Sequence, residues 1–169
     1  MAERPRNVVN HADLEWSTEG SPNGRIRFFR KRLSLPSGGE RLGCSLYRLP
    51  AHGRAWPRHC HSENEEAVFV LEGNGTIEVG TERIALQPGD YVTIPRGYAH
   101  AHRIVNDSGA EFVYLCMSTM IAPDVVLYPD SGKIGVFVGA APGGRPERSV
   151  LKRYLDAGAE VEYWKDEEE

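Results

Sequence analysis

His59 and His61 stand two residues apart in the stretch GRAWPRHCHSENEEAVFVLEG (residues 53–73), and Glu66 follows five residues later. On a β-strand, residues i and i+2 face the same side, so the two imidazoles point together. Glu66 begins the alternating run EAVFVLEG, and its carboxylate faces the same way if residues 62–65 turn the chain back. A third imidazole is available from GDYVTIPRGYAHAHRIVN (residues 89–106), which carries His100 and His102. Three neutral imidazoles and one carboxylate make a mixed nitrogen and oxygen donor set. Such a set suits Fe, Mn, Ni, Co, Cu or Zn and leaves coordination positions open for water or substrate.

The elements that would position these groups are short strands. From Arg25 onward, apolar segments recur at close intervals, most with period 2 and rich in Val, Ile, Tyr and Phe, with Gly, Pro and Asn between them. That pattern predicts an all-β sandwich or barrel of antiparallel strands. Residues 72–75 (EGNG) read as a hairpin turn, and the YPDSGK run from Tyr128 to Lys133 reads first as a turn and second as a lid. Arg148 to Ala157 places Val150, Leu151, Tyr154 and Leu155 at helical spacing with Gly158 as a stop, which predicts a short C-terminal helix. Residues 1–24 read as an N-terminal arm or edge strand, 25–140 as the barrel, and 141–169 as helix and acidic tail.

The two stretches resemble the two motifs of the cupin superfamily. The first motif is glycine, five residues, His-x-His, three or four residues, Glu, six residues, glycine. It runs from Gly53 through His59, His61 and Glu66 to Gly73 with every spacing kept. The second is glycine, five residues, Pro-x-Gly, two residues, His, three residues, Asn. Gly89, Pro95, Gly97 and His100 fit it from the left, whereas His102 and Asn106 fit from the right, as a two-residue insertion before the strand would produce. His102 lies in the alternation His102, Ile104, Asn106 and is the favoured third imidazole. His100 then becomes a pocket group and a candidate general base. The flanks, NEEAVFVLEG and YPDSGK, are similar to single-domain bacterial cupins that sometimes carry a sugar-phosphate isomerase label. The resemblance implies a double-stranded β-helix (jelly-roll barrel), a divalent transition metal on His59, His61, Glu66 and His102, and a homodimer. It also implies isomerase, dioxygenase or lyase chemistry on a small polar or anionic metabolite; the alternative is a non-catalytic metal and small-ligand module.

Composition narrows the classes further. The chain has 169 residues, enough for one domain with a core, and a formal net charge of −4. A mildly acidic chain lacks the clustered basic face of a nucleic-acid binder. The basic run Arg25 to Arg32 alternates with Ile26, Phe28 and Phe29 and predicts a strand with an outer charged face. The alternative is a surface for an anionic ligand or a partner. No apolar leader-like core stands near the start and no run of about 18 apolar residues occurs, which predicts a cytoplasmic protein without a membrane span. Three widely spaced cysteines, Cys44, Cys60 and Cys116, predict free thiols in a reducing compartment. Cys60, between the two histidines, points away from any metal on strand parity. His11 and His52 sit outside ligand-spaced clusters and read as structural.

Overall fold

The computed structural model describes residues 5–24 and 26–167. Its strands in chain order begin with β1 (Ser17–Gly20), β2 (Arg27–Arg32), β3 (Leu42–Leu49), β4 (Cys60–His61) and β5 (Glu66–Glu72). They continue with β6 (Gly75–Val79), β7 (Glu82–Leu86), β8 (Tyr91–Ile94) and β9 (His102–Val105). The last four are β10 (Phe112–Thr119), β11 (Asp124–Tyr128), β12 (Lys133–Val138) and β13 (Leu151–Asp156). Every pair is antiparallel. Among the described residues the helical segments are three turns of 3-10 type, and no helix is long and apolar enough to cross a membrane.

The strands form a six-stranded sheet in the order β1-β2-β3-β10-β5-β8, a four-stranded sheet β13-β12-β11-β4 and a three-stranded sheet β7-β6-β9. Isolated bridges Arg54↔Val105 and His59↔His102 tie the two smaller sheets into one layer. The core lies between that layer and the large sheet. Val68 and Val70 of β5, Tyr47 and Leu49 of β3, and Phe112 and Tyr114 of β10 pack with Ile77 of β6 and Ile104 of β9. Each is an inward member of a period-2 alternation, and each large side chain so buried contributes roughly 1.5–3 kcal/mol.

Two buried asparagines hold the chain where strands must cross between layers. Asn64 donates to the Ile121 carbonyl and accepts from the Ile121 N–H and the Thr119 hydroxyl, which pins residues 62–65 under the end of β10. Asn106 donates to the carbonyls of Leu49, Pro50 and Ala110 and accepts from the Ser108 N–H and hydroxyl. Both amides are thereby satisfied in places where an unpaired one would be costly.

Three expectations need correction. Residues 151–156 form strand β13, not a helix: all six pair with β12, from Val138↔Leu151 to Lys133↔Asp156. The open edge of β12 offers backbone hydrogen bonds along the whole segment. That outweighs a helical spacing of apolar side chains, which here stay exposed. Residues 72–75 are not a hairpin turn: β5 pairs with β8 and β10, and β6 with β7 and β9, so the chain changes sheets there. Gly73, at φ +74°, supplies the left-handed residue that the crossing requires. The basic strand β2 does not carry all its charges outward. Phe28 and Arg30 share the inward face, and Arg30 is 7% exposed. Its neighbour Lys31 is covered from the other side, where its Nζ donates to the His11 carbonyl and lies over the Trp16 ring.

By contrast, residues 17–20 do form an edge strand on the large sheet, and residues 128–133 connect β11 to β12 as a tight turn. All three cysteines are free, with Cys60 buried.

Candidate metal centre

The site is built where β4, β5 and β9 meet. The bridge His59↔His102 sets two of the imidazoles opposite each other, with ring centroids 4.7 Å apart. Strand β4 sends His61 to the same side, 5.2 Å from the His59 ring. Glu66, the first residue of β5, completes the group. Its Oε2 lies 3.9 Å from His59 Nε2, 3.7 Å from His61 Nε2 and 2.9 Å from His102 Nε2. The ligand-type atoms of His59, His61 and Glu66 all lie within 4.8 Å of one another.

The outward nitrogen of each ring is already engaged. Nδ1 of His59 bonds the Pro57 carbonyl at 2.8 Å, Nδ1 of His61 bonds Asp124 Oδ2 at 2.6 Å, and Nδ1 of His102 bonds the His100 carbonyl at 3.1 Å. Each partner is an acceptor, so each Nδ1 carries the proton and each Nε2 presents a lone pair. Three lone pairs thus surround the Glu66 carboxylate oxygen, an arrangement that a positive charge between them would satisfy. A divalent metal fits that arrangement, and the outer partners are of the kind that fix ligand tautomers. The 2.9 Å approach of His102 Nε2 to Glu66 Oε2 is the shortest of the three. Burial works to raise the Glu66 carboxyl, but the His102 hydrogen bond and the neighbouring imidazoles bring it down to about 2. Burial, reinforced by His102, pushes His59 down to about 4. Burial would also lower His61, yet the Asp124 hydrogen bond and the Glu66 charge raise it.

The residues named from sequence therefore divide clearly. His59, His61, Glu66 and His102 converge. His100 does not join them: it sits in the 3-10 turn Tyr98–His100, its ring is absent from the cavity wall, and its contribution is the main-chain carbonyl that orients His102. Glu65 is exposed on the opposite face. Asp124, 63 residues from His61, gave no signal in sequence because an acidic residue at a strand start is commonplace.

The cluster opens into a cavity of about 550 Å³. Its wall includes Tyr47, Tyr114, Cys116, Tyr128 and, from β2, Arg30. The Tyr128 ring lies 6.1 Å from that of His59, and burial raises its hydroxyl above the usual range. Cys116 Sγ is 3.9 Å from Glu66 Oε1, and burial drives its thiol well up, so it stands there as a neutral group. The Arg30 guanidinium lies 5.8 Å from the Tyr47 and Trp56 ring centroids. Contacts at that distance are worth roughly 0.5–2 kcal/mol each, less together than the several kcal/mol that burying an unpaired charge costs.

The comparisons with known proteins agree with this geometry. The family described as cupin domain matches residues 45–118. Residues 45–118 are a cupin domain. The cupin match runs from within β3 to near the end of β10 and so contains the whole histidine and glutamate cluster. In sequence, this cupin is 33% identical over 159 residues to the sucrose-binding protein of Glycine max, covering 90% of this chain and 28% of that protein. It is 38% identical over 84 residues to quercetin 2,3-dioxygenase of Bacillus subtilis, covering 47% of this chain and 25% of that enzyme. The chain thus spans about a quarter of the length of these relatives. In structure, it superposes on a provisionally named sugar phosphate isomerase of Acidithiobacillus ferrooxidans with a TM-score of 0.76, at 24% identity, covering 92% of this chain and 96% of that one. That similarity shows the fold.

Proposed function

We propose that this cupin is a metal-dependent enzyme acting on a small polar or anionic metabolite by isomerase, dioxygenase or lyase chemistry. The observation that carries the reading is the convergence of three Nε2 lone pairs on Glu66, with every Nδ1 bonded outward. His59, His61, Glu66 and His102 would hold the divalent transition metal, of the series Fe, Mn, Zn, Ni or Co. With one anionic ligand such an ion stays net positive, which favours chelation by a hydroxy-acid or enediol oxygen pair and stabilises charge developing on those oxygens. The chain's own contributions are distinct. Asp124, Pro57 and His100 fix the imidazole tautomers. The rings of Tyr47, Tyr114 and Tyr128 line the cavity. Tyr128, held protonated beside His59, is placed to donate a hydrogen bond to a ligand oxygen.

A homodimer forms part of the same reading. The outer strand β13 leaves Val150, Leu151, Tyr154 and Leu155 exposed at a free sheet edge, a surface suited to pairing with a second copy.

The test is metal content. Protein purified without added metal and then loaded with Fe(II), Mn(II), Ni(II), Co(II) or Zn(II) is expected to bind one equivalent. His59→Ala and Glu66→Ala are expected to lose it and His11→Ala to keep it. Full stoichiometry in both ligand variants would reject the site. Oxygen uptake and carbonyl-substrate screens on the loaded protein then separate dioxygenase from isomerase or lyase chemistry. Silence across dicarbonyls, phenols, sugar phosphates and hydroxy acids would favour a non-catalytic binding module.

A further inference from the structure

Arg30 is a cavity residue whose chemistry the metal centre does not use. Its guanidinium is buried, yet among the described residues it makes no ion pair and no hydrogen bond, and its Nε is enclosed without any partner. Other half-buried arginines have acidic or carbonyl partners: Arg103 pairs with Glu78, Arg58 bonds the Ala101 carbonyl and lies 3.5 Å from Asp130, Arg145 bonds the Leu35 carbonyl, and Arg48, whose Nε is also enclosed without a hydrogen bond, lies 3.7 Å from Glu111.

Arg30 is also held in place. Tyr47 and Trp56 flank it, and the Trp56 indole N–H donates to the Tyr47 hydroxyl at 3.2 Å, which ties the two rings together. The flanking rings cover the guanidinium without engaging its N–H groups, and these remain available as a fork. Gly143 passes close by, so that even a Cβ there would come no nearer than 3.9 Å to Nη2, and the space in front stays open. Cations outnumber acids on the cavity wall: Arg32, Arg103, Arg145 and Lys152 line it with Arg30, against Glu19 and Glu66.

We propose that Arg30 is the anion-recognition residue of the cavity, forking onto a carboxylate or phosphate group of a small acidic ligand whose other end reaches the histidine and glutamate cluster. The assignment of the reacting end rests on the metal-centre reading above; the ion pair to Arg30 does not. A fixed, desolvated, unpaired guanidinium is the arrangement that favours a planar or tetrahedral oxyanion over a neutral polyol, because the ligand supplies the missing counter-charge. The competing view, that Arg30 serves only to pack between two rings, predicts that losing it destabilises the fold.

The experiment uses chelator-treated full-length protein with inorganic phosphate and malonate as probes and glycerol as neutral control, at matched ionic strength. Thermal unfolding and Trp fluorescence are read for wild type, Arg30→Gln and Arg30→Lys. At least one anion is expected to raise the wild-type Tm saturably and to change the Trp fluorescence. Arg30→Gln is expected to bind that anion at least 10-fold more weakly while being no less stable than wild type in anion-free buffer. Arg30→Lys is expected to recover part of the affinity. A larger response to phosphate or to malonate identifies the ligand class. Equal anion responses in wild type and Arg30→Gln, no response in wild type to either anion, or a clear drop in the anion-free Tm of Arg30→Gln would each overturn the proposal. An Arg30-dependent anion response in a protein that takes up no metal would instead sink the metal reading and leave this one standing.

Discussion

His61 and Asp124 are joined by a 2.6 Å hydrogen bond between Nδ1 and Oδ2, across 63 residues of chain. The same carboxylate accepts from the Ser62 hydroxyl and the Glu63 N–H, so it orients both the imidazole and the loop that leads to Glu66. Loss of that carboxylate would loosen two sides of the cluster at once. Asp124→Asn is expected to lower metal affinity by about 10–100-fold, the usual effect of removing an outer partner of a ligating histidine. Competition with a chromogenic chelator measures it. Affinity unchanged from wild type would show that His61 needs no such support.

His100 and His102 differ by only two positions, yet only one presents its ring to Glu66. His102→Ala is expected to cut metal stoichiometry as deeply as His59→Ala does. His100→Ala is expected to leave it intact, because the carbonyl that bonds His102 belongs to the main chain. Elemental analysis of the two variants side by side decides the point, and a reversed order of metal loss would move the ligand to His100.

Acid should destabilise the metal-free protein through His59. His59 is held at about 4, below the ordinary value of 6.5. The unfolded chain therefore takes up the proton first, and stability present above about pH 6.5 is lost as pH falls toward 4, with a slope of at most about 1.4 kcal/mol per pH unit. Glu66, held at about 2, extends the loss below pH 4.5. His61 acts in the opposite sense: its value is raised, so its contribution is present below 6.5 and disappears as pH rises through its folded value. Urea unfolding of chelator-treated protein between pH 4 and 8 is expected to show the His59 slope in wild type and to lose it in His59→Asn. An equal slope in both would reject the burial argument.

Asn106→Ala removes a side chain with five hydrogen bonds at a 1% exposed position. Three main-chain carbonyls and a main-chain N–H would be left without it. A loss of roughly 3 kcal/mol is expected. Denaturant titration measures it, and a loss below about 1 kcal/mol would mean that water replaces the amide.

The four-residue cluster was legible because the strand repeat of two is rigid. His59 and His61 must share a side, and the even spacing of His102, Ile104 and Asn106 places His102 on the interior face. The all-β class followed from the same repeat. The C-terminal segment was misread for a complementary reason. Val150, Leu151, Tyr154 and Leu155 satisfy a helical spacing locally, but residues 151–156 lie against a strand edge, and the backbone pairing offered there comes from residues distant in sequence. Arg30 shows the same limit. Its inward face could have been taken from its parity with Phe28, but charge alternating with apolar residues usually marks a solvated face.

The order of residue types along the chain was sufficient to determine the alternation and the histidine and glutamate spacing, because these depend on strand geometry over a few residues. Tertiary structure alone decided that Asp124 meets His61, that His100 contributes a carbonyl and not a ring, and that Arg30 is buried beside the same cavity without a counter-ion among the described residues. Each of these depends on which strands pair across 60 or more residues or on what closes over a side chain, and local sequence does not encode such closure.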